Sequence, residues 1–197
     1  ILPQVALQPW QETIRHPWVL LSYFWLHASF FNMLSNMLWL YCFGSVIQSF
    51  VGHKEIVPLF LTSGILSGLI FSGISFLWPS MPETMIITTL PVIMAFAVGA
   101  FVLVPGYRFY LGERLSVPLW IVVVVFLMLN VLSVANNRPL MMVVASAALI
   151  GAAYIWLLKA GYQPGARLSG LGHKVQSVFA PRYDQPLQPS KRRNLTL

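Results

Sequence analysis

From Val19 onward the chain alternates long apolar runs with short polar breaks. The first run, Val19–Val51, exceeds the roughly 20 residues that cross the hydrocarbon of a bilayer. Its early part therefore reads as a re-entrant or interfacial lead-in, with the helix proper starting near Ser29. The break "GHKE" at Gly52–Glu55 precedes a second run, Ile56–Trp78, and a "PSMPE" turn separates that from a third, Met85–Val104. The loop "PGYRFYLGER" leads to a fourth run, Val117–Val134, whose "IVVVVFLML" core predicts a lipid-facing helix, and "ANNRP" turns into a fifth, Leu140–Leu158. None of the runs alternates apolar and polar residues as barrel strands do. Since only helices and closed barrels satisfy their backbone groups in lipid, the fold class is an all-α integral membrane bundle with five transmembrane helices.

Small residues mark where these helices approach each other. Gly64 and Gly68 in the second run form a GxxxG pair, and Ala147 and Gly151 in the fifth are spaced alike. Such spacing lets backbones come close, so these four are predicted helix-packing positions. On either side of the membrane domain, residues 19–160, lie two segments of other character. Residues 1–18 mix apolar residues with prolines, glutamines and charges, an amphipathic interfacial loop with Trp10 and Trp18 at headgroup depth. Residues 161–197 form a basic Gly/Pro-rich tail, with a short surface helix expected over Leu168–Phe179.

Composition narrows the function classes. Hydrophobic residues make up 57% and charged residues 9%, far from the roughly 25% charged residues of soluble domains. The net charge of +7 does not imply nucleic acid, because no basic stripe with interleaved aromatics is present. Ten of the twelve Lys and Arg residues fall on one side when the spans are alternated, which makes that side, and the tail, cytoplasmic. His27, Asn32 and Asn36 then lie in the outer half of the first span. Lys191, Arg192 and Arg193 are placed either to meet anionic lipid headgroups or to serve as a solvated end that sets topology. The single cysteine, Cys42, lies inside an apolar run and offers no disulfide framework. His16, His27, His53 and His173 never pair at helical spacing, so no metal site and no cofactor is expected.

The stretch "HPWVLLSYFWLHASFFNMLSNMLWLYCFG" resembles the rhomboid family of intramembrane serine proteases, with loops closest to the type found in Bacteroidota. In that family an aromatic-rich run ends in histidine, a second histidine follows five residues on, an asparagine four after that, and the helix closes in Phe-Gly. Here these positions hold His27, Asn32, Asn36 and "YCFG". The likeness continues through "LTSGILSGLIFSG", "VPGYRFYLGERLSVP" and "AALIGAAYIWLL". It implies a bundle of six core helices in a bacterial inner membrane, the first of them before Ile1, and lateral approach of transmembrane helices near the second and fifth.

The departures from the pattern bear on catalysis. The family's Gly-x-Ser-Gly motif falls on "TTLP", so Leu90 stands for the nucleophilic serine and Pro91 for the last glycine. Counting back from Ala147, the catalytic histidine position holds Val144, and Asn32 replaces the second histidine. Neither leucine nor valine gives or takes a proton, and proline has no N–H to offer an oxyanion. The resemblance thus implies a pseudoprotease with no catalytic residues, retaining His27 and Asn36, whose partners are other integral membrane proteins met through transmembrane helices. Thr88, Thr89 and Ser146 keep open the alternative of an active serine-type endopeptidase with displaced residues, although Thr89 should point away from the Leu90 position. "GILSG" at Gly64–Gly68 is read as packing rather than a serine motif. His27 is expected to bond backbone. Asn32 and Asn36 either bond the third span or line a retained cavity. A transporter lacks its usual marks here, paired intramembrane charges and repeated broken helices.

Overall fold

The computed structural model describes residues 5–78, 85–110, 116–162 and 164–165, with 131–134 as backbone. Two short helices, α1 (Trp10–Arg15) and α2 (Val19–Ser22), precede α3 (Phe30–Val51). A 3₁₀ turn, His53–Glu55, leads into α4 (Ile56–Leu77), and α5 (Leu90–Leu103) follows. Strands β1 (Arg108–Tyr110) and β2 (Ser116–Pro118) pair antiparallel with Phe109 opposite Val117. Helices α6 (Leu119–Ala135) and α7 (Arg138–Lys159) complete the order. The "PSMPE" turn, the middle of the "PGYRFYLGER" loop, the helix expected over Leu168–Phe179, and Lys191, Arg192 and Arg193 lie outside the described residues.

Of the five expected spans, α3, α4 with its 3₁₀ turn, and α7 are long and apolar enough to cross a membrane. Helices α5 and α6 are shorter, at 14 and 17 residues. The reason is local. Residues expected to begin the third span are extended instead: Ile86 exchanges two backbone hydrogen bonds of 2.9 Å with Leu7, and Thr88 N–H donates to the Tyr23 carbonyl. Pro91 then stands in the first turn of α5, where its locked φ favours a start and its missing N–H costs nothing. At 1.5 Å per residue α5 is about 21 Å long.

Helix starts elsewhere follow side-chain chemistry. Ser29 caps α3, its Oγ accepting from Asn32 N–H at 3.2 Å. Asn137 caps α7 in the same way, accepting from Leu140 N–H at 3.1 Å. Each cap satisfies a backbone donor that the helix leaves open.

Helix α5 is the centre of the bundle, touching α3, α4, α6 and α7, with its largest contact on α7. At that crossing an added Cβ on Gly151 would stand 2.2 Å from the Ala95 carbonyl oxygen, so the two backbones touch. Gly64 and Gly68 do something else. The space a Cβ would fill on Gly64 is taken by the Phe24 ring at 2.6 Å, and on Gly68 by Leu20 and Tyr23 at 3.0 and 3.1 Å. The GxxxG pair therefore receives the lead-in before α3, short helix α2 included, and not another of the long helices. Tyr23, fully buried, donates to the Gly64 carbonyl at 2.7 Å and pairs with Ser67 Oγ at 2.9 Å.

Burial pushes the Tyr23 phenol up from 10.0 to about 12, partly offset by its bond to Ser67. The folded value lies above the unfolded one, so the buried neutral phenol contributes its full stability below about pH 10. That contribution, about 2–3 kcal/mol, falls away as the pH rises towards about 12. Alkaline unfolding followed by tyrosinate absorption checks this: Tyr23→Phe should flatten the loss over that interval.

Candidate functional site

Leu90 and Val144, the positions that the resemblance sets against a serine and a histidine, are both sealed in the interior. Leu90 opens α5 at 6% exposure and Val144, early in α7, is 5% exposed; both belong to one contiguous hydrophobic core. Around them the polar atoms are engaged with backbone. Leu90 N–H donates to Thr88 Oγ1 at 3.1 Å, and Ser146 Oγ donates to the Val143 carbonyl at 2.9 Å within its own helix. Pro91, next in line, has no N–H. The Ser67 hydroxyl of "GILSG" bonds the Ser63 and Gly64 carbonyls and Tyr23.

Among the described residues, the hydroxyl that meets a histidine is that of Thr89. It does point away from Leu90's side of the helix, but towards the lead-in, where Oγ1 lies 2.7 Å from the Phe24 carbonyl and 2.9 Å from His27 Nε2. A hydroxyl has one proton. The carbonyl can only accept, so that proton goes to Phe24, and His27 donates its Nε2–H to Thr89 Oγ1. In this arrangement His27 cannot act as the general base for Thr89. It is a clamp that ties the lead-in to the start of α5. His27 was expected on backbone; its partner is instead a side chain. A Ser/Thr ahead of a proline at a helix start was the available signal, because such residues favour helix entrances. Its long-range partner left none. Thr89→Val is expected to cost about 1–3 kcal/mol, the penalty of stranding a buried donor and acceptor, whereas Thr89→Ser keeps both bonds. Thermal unfolding in mild detergent measures the difference.

Asn36 and Asn32 bond each other: Asn36 Nδ2 donates to Asn32 Oδ1 at 3.2 Å, one turn apart on α3. Among the described residues, no hydrogen bond joins either to α5. Asn36 is buried while Asn32 is exposed, so the pair runs from the bundle interior to the surface.

A groove of about 330 Å³ opens between α3 and α4, whose direct contact is slight. Leu40 and Gly44 of α3, Phe60 of α4 and Phe96 of α5 line it, and Asn36, His27 and Thr89 are its polar positions. Leu90 and Val144 are absent from its wall. The cavity that Asn36 lines is thus set apart from Leu90 and Val144. On a neighbouring face of α3, Trp39 and Phe43 pack their rings on Phe126 of α6, with centroids 5.3 and 5.6 Å apart. The groove wall is largely apolar, and neither Leu90 nor Val144 carries a group able to move a proton.

Comparison with known families supplies the class to which this bundle belongs: the family model described as "Rhomboid domain" matches residues 15–161. No curated protein matches the chain.

Proposed function

Because the chain belongs to the rhomboid family, we propose that it is a catalytically inactive member, a pseudoprotease that binds transmembrane helices and acts as a scaffold subunit of a membrane complex. The carrying observation is that Leu90 and Val144 stand where the resemblance puts the serine and the histidine, each buried in apolar core. Acyl transfer needs a nucleophile and a base within hydrogen-bond reach, and both are replaced. The helix framework around them is kept, with α5 seated on α7 through Gly151.

On this reading all five longer helices cross the membrane of a bacterium of Bacteroidota type. The α3–α4 turn and the C-terminal tail face the cytoplasm, where Lys191, Arg192 and Arg193 meet anionic headgroups. Partner helices dock laterally on α3 and α6, where Leu38, Tyr41, Met128 and Leu129 are exposed. Affinity purification from native membranes in mild detergent should recover a second integral membrane protein. Replacing Tyr41 and Met128 by alanine should weaken its recovery. Recovery of this chain alone rules the scaffold reading out.

The competing reading, an active serine-type endopeptidase with displaced residues, has only the Thr89–His27 contact in its favour. The proton count at Thr89 argues against it.

A further inference from the structure

At the turn between α3 and α4 an acidic side chain is held inside the protein. Glu55 is 3% exposed, and a buried acidic group is tolerated only when its oxygens are hydrogen-bonded. Its Oε2 accepts from the Tyr154 hydroxyl of α7 at 2.7 Å and from the backbone N–H of Gly165 at 3.0 Å. Both donors come from the far end of the chain.

The backbone is shaped to deliver the second donor. Helix α7 ends in a turn where Gly161 N–H bonds the Leu158 carbonyl and Tyr162 N–H bonds the Leu157 carbonyl, both at 3.0 Å. This is the Schellman arrangement, and it needs a left-handed residue, which Gly161 supplies at φ 90°. The reversed chain brings Gly165 against the α3–α4 turn so tightly that an added Cβ would lie 2.3 Å from the Lys54 carbonyl oxygen and 2.7 Å from the Glu55 carboxyl. Only glycine allows that approach. Nearby, Lys159 Nζ donates to the Val102 carbonyl at 2.6 Å, fixing the end of α7 to the end of α5.

We propose that Glu55 is the receptor of a C-terminal strap: the chain after α7, reversed at Gly161 and seated at Gly165, is latched by the Glu55 carboxyl. The latch holds Gly165 against the α3–α4 turn, and through one side chain it joins that turn, α7 and the chain just after α7. Losing Glu55 therefore frees Gly165 without touching the contact between α5 and α7.

Hydrogen–deuterium exchange on the full chain in detergent tests this. The peptide carrying Gly165 should exchange slowly in the parent. Glu55→Ala and Gly165→Ala should each speed it by about tenfold or more, as local opening does, while peptides of α5 keep their parent rates. Gly165→Ala leaves Glu55 and Tyr154 in place, so it reports on the strap even if Glu55→Ala fails to fold. Fast exchange at Gly165 in the parent, or a Gly165→Ala rate within about twofold of parent, overturns the proposal.

Discussion

Gly151→Val is expected to leave no folded, monodisperse protein in mild detergent. The added carbons would have to occupy space that begins 2.2 Å from the Ala95 carbonyl oxygen and 2.7 Å from its Cα, atoms of backbone that cannot rotate aside. Overpacking a well-filled core costs about 1–3 kcal/mol when side chains can yield. Here the two helices must separate instead, which exceeds that range against a total stability of about 5–15 kcal/mol. Two controls calibrate the result. Gly99→Ala meets the Ile155 Cγ1 at 3.2 Å, a flexible atom, and should lower the thermal midpoint modestly; Gly73→Ala meets nothing within 4 Å and should leave it unchanged. If Gly151→Val purified with the parent's midpoint, the α5–α7 crossing described above would be wrong.

The second large effect concerns chemistry. The parent chain should show no labelling by a serine-directed fluorophosphonate and no cleavage of a helical transmembrane substrate. Leu90→Ser alone should remain silent, since Val144 supplies no base. Leu90→Ser with Val144→His restores both members of the dyad, yet hydrolysis should stay about 10²–10³-fold below that of a variant also carrying Thr88→Gly and Pro91→Gly. That factor is the usual loss for a missing oxyanion donor. The structural cause is that the N–H of residue 90 is held by Thr88 Oγ1 and that residue 91 has none. Labelling of the parent would sink the pseudoprotease reading and redirect attention to Thr89 and His27.

Much of this was legible along the chain because it depends on neighbours. Apolar runs mark helices by length and composition, and the start of α3 near Ser29 followed from the excess length of the first run; Asn137 and Pro91 read along the chain as a turn and a lost glycine, and their places at the starts of α7 and α5 emerged only in the structure. Counting from the residues that carry the family resemblance singled out Leu90 and Val144, and the structure buries both in apolar core.

What distant parts of the chain do to each other was not legible in this way. Gly64 and Gly68 look like a helix-packing pair, but a glycine only states that something approaches; that it is Phe24 and Tyr23 depends on where the lead-in folds. The shortening of α5 depends on Leu7 claiming Ile86, the clamp on Thr89 finding His27, and the latch on Glu55 finding Gly165. Periodicity, caps and residue chemistry are short-range properties that a sequence determines by itself. The partners of a buried glycine, hydroxyl or carboxyl are set by the packing of the whole bundle, and only the tertiary structure decided them.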